Sequence, residues 1–193
     1  FKSIGYEFKS FSLVKRALTH SSIGNSEKNY EKLEFLGDRV LGLVISSNIF
    51  FNFKNDSEGE LAKKYSLLVS KATLKKISDE INLIQFIKIS KELRNSSLES
   101  IKANSLEALI GAIYLDSSFE NTENVVKKLW QNHINQIDLT KYDPKSRLQE
   151  WCLKNNNKLP LYYFVKKEGP EHEPKFTISV KHGSQLNAQG IGK

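Results

Sequence analysis

Apolar residues recur at helical spacing along most of residues 11–138. Leu13, Ala17 and Leu18 suit a short amphipathic helix that ends near His20. From Leu33 to about Phe53, apolar residues fall on most faces, which predicts a buried central helix. Asp56-Ser57-Glu58 offers an N-terminal cap for the next helix, through Leu61, Leu67 and Leu68. Ser70 caps another, with Leu74, Ile77 and Ile81 as its stripe. Ser96-Ser97 opens a helix through Leu98, Ile101, Leu106 and Leu109 to Leu115. Residues 120–137 carry Val125, Val126, Leu129, Trp130 and Ile134 at helical spacing. No period-2 alternation precedes residue 160.

The pattern then changes. Leu139 to Asp143 is short and polar and reads as a linker. Pro144 starts a helix at a position Pro tolerates, with Leu148, Trp151 and Cys152 as its apolar face and Asn155-Asn156-Asn157 as its end. Tyr162 to Val165 and Phe176 to Val180 are β-rich runs, separated by the loop chemistry of Gly169-Pro170-Glu171-His172-Glu173-Pro174. Leu186 to Ile191 supplies a third strand. The expected architecture is an all-α domain over 1–138, a linker over 139–143, and a small α+β domain over 144–193.

Carboxylates interrupt the two most apolar helical segments. Glu34 and Asp38 lie four apart among Leu33, Phe35, Leu36, Val40 and Leu41, so they share one helix face. In the later segment Glu107 stands three residues after Asn104. Desolvating a charge costs several kcal/mol or more without compensation, so such acids need partners. Lys32, Arg39 or Lys102 are candidate ion-pair partners. Alternatively, if the two helices pack together, four oxygen-bearing side chains surround one point, which suits a hard cation such as Mg²⁺. A di-iron bundle wants Glu-x-x-His pairs, and none of His20, His133, His172 or His182 lies three residues after a Glu.

At 193 residues the chain accommodates one good core and a small second domain. The longest candidate membrane span is broken by Asp38 and Arg39. No N-terminal signal pattern follows Phe1, and the lone Cys152 argues against a disulfide framework and fits a reducing cytoplasm. The net charge of +7 is uneven. Residues 1–140 hold 19 Lys/Arg against 17 Asp/Glu, whereas residues 141–193 hold 10 against 5. A basic module on a nearly neutral body points to a polyanion partner; a solvated lysine-rich surface is the bland alternative.

The motifs decide between these. Tyr30-Glu31-Lys32-Leu33-Glu34-Phe35-Leu36-Gly37-Asp38-Arg39-Val40-Leu41 and Ala103-Asn104-Ser105-Leu106-Glu107-Ala108-Leu109-Ile110-Gly111-Ala112 resemble the two signature helices of the ribonuclease III family. Ala17-Leu18-Thr19-His20-Ser21-Ser22 and Glu58-Gly59-Glu60-Leu61 add to the likeness. The stretch from Asp143 to Lys193 is similar to a double-stranded-RNA-binding domain that reaches its third strand without its closing helix. Two positions depart from the pattern. Tyr30 replaces the usual Asn, and Asn104 stands where Asp is usual.

The resemblance implies a Mg²⁺-dependent endoribonuclease, with Mn²⁺ as a substitute. It would cut double-stranded RNA, in rRNA and mRNA processing, to leave 5′-phosphate and 3′-hydroxyl ends. Such ions lower the pKa of a water and orient it for in-line attack. It implies Glu34, Asp38, Asn104 and Glu107 as metal ligands, with Asp38 and Glu107 catalytic. Glu31 and Glu58 match acids near the RNA path, and Phe35 resembles an aromatic at a homodimer interface. Gln149, Glu150, His172 and Lys193 match contacts to duplex RNA, which is read by shape, 2′-hydroxyls and phosphates. A histidine mechanism through the ribose 2′-hydroxyl would turn on His20, which is otherwise a helix-end packing residue. Asn104 leaves room for a second function class, a non-catalytic duplex-RNA-binding scaffold.

Overall fold

The computed structural model describes residues 4–23, 25, 27–95, 98–137, 144–156, 158–171, 173–183 and 186–192. The chain divides into two compact units, Phe1–Ile137 and Asp138–Lys193. The first is helical: α1 (Phe11–Ala17), α2 (Glu31–Asn52), α3 (Glu58–Leu68), α4 (Lys71–Glu80), α5 (Glu99–Asp116) and α6 (Phe119–Asn135). The expected linker and the Ser96-Ser97 cap lie outside the described residues. Helix α5 begins after Leu98, which makes no side-chain cap.

Local chemistry sets the helix starts. Ser57 and Glu60 form a capping box, the Ser57 oxygen accepting the Glu60 N–H and the Glu60 carboxylate accepting the Ser57 N–H at 2.8 Å. The Ser70 hydroxyl accepts the Thr73 N–H at 3.2 Å, and Ser118 accepts that of Asn121 at 3.3 Å. Helix α5 is the axis of the unit. Ile101, Leu106, Leu109, Ile110 and Ile113 are all buried, so apolar contact surrounds it. Trp130 of α6 is fully buried, and its indole N–H donates to the Leu68 carbonyl at 2.8 Å. At the end of α5, Asp116 accepts hydrogen bonds from the Tyr6 hydroxyl and from the Lys9 and Ser10 N–H groups. Burial pushes the Asp116 carboxyl up, but these donors outweigh it and hold the group below its ordinary range.

Helices α2 and α5 touch backbone to backbone. A Cβ on Gly37 would lie 1.8 Å from the Glu107 carbonyl oxygen, and one on Gly111 would lie 2.3 Å from that of Leu33. Only glycine fits either position, and the pair fixes the crossing that the site depends on.

Three features differ from the expectation. Helix α2 is not buried all round: Phe35 is 67% exposed, and Leu43, Phe50 and Phe51 also face solvent. Periodicity reports apolarity on a face, not what covers it. Short 3-10 turns occur at Leu83–Phe86 and Glu92–Asn95. A parallel bridge joins Thr19 to Lys88, with the His20 N–H donating to the Lys88 carbonyl at 2.9 Å. This long-range pairing leaves no alternating pattern to read.

The second unit holds α7 (Pro144–Asn156) and an antiparallel sheet ordered β1 (Leu161–Glu168), β2 (Lys175–His182), β3 (Leu186–Gly192). Val180 pairs with Tyr162 on one side and Ala188 on the other, and a bulge interrupts β1 between Phe164 and Lys166. Cys152 is fully buried, and Trp151 meets His182 edge to face at 6.2 Å. Gly169 and Gly183 take positive φ at the two strand connections.

Candidate active site

The crossing of α2 and α5 brings a small set of polar residues from both helices onto one cavity. Gly37 precedes Asp38 and abuts the backbone of Glu107, so the two helices approach most closely beside the carboxylates. Glu34 and Asp38 from α2 and Asn104 and Glu107 from α5 line a cavity of about 620 Å³. Glu31 and Phe35 reach the same cavity. Among the described residues, however, no three His, Cys, Asp or Glu side chains converge closely enough to clasp one ion as they stand. Asp38 is drawn to its neighbour Arg39 by an ion pair, as one alternative in the sequence suggested. Lys102 pairs elsewhere, with Asp79 at 2.6 Å. The four oxygen-bearing side chains therefore line one cavity without closing on a single point.

The electrostatics show how strained the carboxylates are as anions. Burial, with Asp38 and Glu34 adding to it, pushes the Glu107 carboxyl up to about 7. Burial also raises Glu34, against an opposing hydrogen bond from Asn104. Tyr30, buried at the start of α2, is pushed up to about 12 by burial and the Glu34 charge, and it too contacts the Asn104 side chain. The two departures from the family pattern thus meet in one small network, 74 residues apart in the chain. As a donor set the cavity fits a hard cation. Every candidate ligand offers oxygen, and buried acids held above their usual range gain most from a positive charge.

Sequence reasoning missed Lys71, and although it singled out the motifs of His20, Ser21 and Tyr30 it did not bring them to the cavity. Tyr30 and Lys71 line it, as do His20 and Ser21. The Nδ1 of His20 accepts the Ser22 N–H at 3.0 Å, and its ring lies edge to face on Tyr30 at 5.2 Å. Burial lowers the His20 pKa, against the nearby Glu31 charge. The motif around His20 was visible, but nothing in the spacing of Lys71 tied it to residues of α2 or α5. Glu58 is not brought to this cavity. It borders a separate hollow of about 540 Å³ with Arg39, Leu43, Phe50 and Tyr65, which Asp38 also touches. In the second unit Gln149 is half-buried and Glu150 exposed on α7; His172 and Lys193 lie outside the described residues.

Comparison with known proteins bears directly on this arrangement. Residues 10–134 match the family model described as ribonuclease-III-like. The chain belongs to the ribonuclease III family. Residues 144–193 match the double-stranded RNA binding motif, so the all-α body followed by a small α+β module agrees with the sequence reading. Ribonuclease 3 of Rickettsia rickettsii (strain Sheila Smith) is 42% identical over 189 residues, covering 93% of this chain and 83% of the relative. Ribonuclease 3 of Bartonella tribocorum (strain CIP 105476 / IBS 506) is 40% identical over 196 residues, covering 100% and 83%. Among solved structures, the nuclease domain of ribonuclease III from Campylobacter jejuni superposes with a TM-score of 0.66 at 41% identity, over 71% of this chain and 95% of that one. Another structure of that domain, with a TM-score of 0.65 at 40% identity over 68% and 93%, shows structural flexibility in a region involved in dimer formation. No helix among the described residues is long and apolar enough to cross a membrane.

Proposed function

We propose that this chain is a divalent-metal-dependent endoribonuclease of double-stranded RNA, acting in the cytoplasm on precursor rRNA and other structured RNA. The observation that carries this reading is the single cavity shared by Glu34, Asp38, Asn104 and Glu107 at the glycine crossing of two signature helices. Mg²⁺ is the proposed cofactor, with Mn²⁺ as a substitute; when bound, it supplies an acidified water and neutralises charge during in-line phosphodiester hydrolysis. Glu34, Asp38 and Glu107 would hold the ion as its anionic ligands, which would require Asp38 to release its Arg39 partner. Asp38 and Glu107 stand closest to the chemistry, while the Asn104 amide steadies Glu34 and offers its own oxygen. Glu31 lies on the RNA path beside them, and Glu58 flanks the outer side. Gln149, Glu150, His172 and Lys193 supply duplex contacts from the second unit.

The scaffold alternative rests on Asn104 alone, and three carboxylates remain on the cavity. Incubating the full chain with a long RNA duplex and Mg²⁺ or Mn²⁺ separates the two. Fragments support the enzyme; duplex binding without fragments under both metals supports the scaffold.

Asn104 carries no charge where Asp is usual, so its replacement has a defined direction. Asn104→Asp adds a negative charge at the cavity and should shift half-saturation in Mg²⁺ to lower concentration, with a gain on the order of 1–3 kcal/mol in cation affinity. The rate at saturating metal should change less. A metal titration of cleavage checks this, and an unmoved titration would remove Asn104 from the ligand set.

We further propose a homodimer built on the exposed apolar flank of α2, where Leu43 and Phe50 border the second hollow and the exposed Phe35 edges the carboxylate cavity beside it. Phe35→Asp should shift the chain from dimer to monomer in sedimentation at micromolar concentration. A wild-type chain that sediments as a monomer there would contradict the assignment.

A further inference from the structure

Lys71 is the only Lys or Arg among the described residues that line the carboxylate cavity. It is the first residue of α4, and its backbone is held firmly. The Ser70 hydroxyl caps the helix and donates to the Leu67 carbonyl at 2.8 Å, and the Thr73 hydroxyl donates to the same carbonyl at 2.7 Å. The side chain itself is exposed and makes no ion pair within 4.0 Å among the described residues. Arg39, the other nearby cation, is committed to Asp38 and faces the second hollow. The base of Lys71 is thus fixed while its ammonium stays available at the rim.

A polyanion entering this cavity meets the carboxylates of Glu31, Glu34, Asp38 and Glu107. One divalent ion cancels two charges. Phosphate oxygens turned away from that ion still need a donor, and a lysine ammonium serves as a compact point charge there. We propose that Lys71 is a phosphate clamp, its ammonium holding the RNA backbone phosphate that lies over Glu34, Asn104 and Glu107. This rests on the duplex-RNA reading above and adds a substrate-positioning residue to it. The rival role is a counter-ion that only steadies Glu34 and Glu107, both of which feel its charge in the free protein.

The two roles separate by binding rather than cleavage. The full chain carrying Glu107→Gln, which keeps the duplex intact, is titrated with an RNA duplex at several KCl concentrations, with and without Lys71→Gln. Loss of a phosphate contact should weaken binding about fivefold and reduce the slope of log Kd against log salt by about 1. Lys71→Arg in the same background should bind within about twofold of its parent, because a guanidinium also holds phosphate. If Lys71→Gln binds within about twofold of its parent with an unchanged slope, the clamp is wrong and the counter-ion role stands. The wild-type chain is run alongside on the same duplex with Mg²⁺. A wild type that cuts while the slope is unmoved overturns only the assignment of Lys71; a wild type that never cuts overturns the nuclease reading itself.

Discussion

Glu107→Gln should abolish RNA cleavage while leaving duplex binding largely intact. Glu107 sits on the central helix, and the carboxyl of this side chain is the most strongly displaced acid of the cavity, at about 7. Gln keeps the shape and one oxygen but removes the charge that a cation would require. Outer partners of metal ligands are worth about 10–100-fold in activity, so removal of a ligand charge should cost more than about 100-fold. Cleavage at saturating Mg²⁺ and duplex affinity, measured on the same preparation, check the two halves of this expectation. The sign for stability is opposite. The folded pKa of Glu107 is raised above its ordinary 4.5, so folding loses stability as pH rises between that value and about 7. Without metal, at pH 8, the Gln variant should therefore melt above the wild type. Wild-type cleavage rates in Glu107→Gln would overturn the site assignment.

Gly111→Ala should be among the most damaging conservative changes in the helical unit, together with Gly37→Ala across the same crossing. In an open helix this substitution stabilises by about 1 kcal/mol, because Ala is the better helix former. Here the added methyl would stand 2.3 Å from the Leu33 carbonyl oxygen, a rigid backbone atom. The helices must separate, at a cost expected to reach about 3 kcal/mol or more net of the helix gain. That is a large part of a stability of about 5–15 kcal/mol. Separation also moves Glu34 and Asp38 away from Asn104 and Glu107, so activity should fall even where the variant stays folded. Gly59→Ala is the control: nothing lies within 4 Å of the new carbon, and a small gain is expected. Urea unfolding of the three proteins gives the comparison; equal midpoints for Gly111→Ala and Gly59→Ala would refute the crossing argument.

Much of this was legible in the amino-acid sequence. Helical periodicity located α1 to α6 because each buries apolar residues, whereas on α7 only Cys152 of the expected face is buried and Trp151 is exposed. Ser57 and Ser70 marked two starts through cap chemistry that is local by nature. Glu34, Asp38 and Glu107 stood out as acids where apolar residues surround them, and the structure places them on one cavity. What the sequence withheld is long-range or collective. Tyr30 and Asn104 meet across 74 positions, and no spacing rule links them. Lys71 reaches the cavity only because of how α4 packs. The solvent-facing Phe35, Leu43, Phe50 and Phe51 looked like core, since an apolar face reads alike whether its own fold or a partner covers it. Asp38 turning to Arg39 is a choice between partners that pattern cannot rank.

The central claim is that the cavity of Glu34, Asp38, Asn104 and Glu107 performs metal-assisted hydrolysis rather than attack by the ribose 2′-hydroxyl. Its most direct test is the chemistry of the ends left on a long RNA duplex by the wild-type chain, with Mg²⁺ and with the metal chelated. Fragments that appear only with Mg²⁺ and carry 5′-phosphate and 3′-hydroxyl ends are the predicted result. Fragments that persist under chelation, or that end in 2′,3′-cyclic phosphate, would contradict it and return the chemistry to His20.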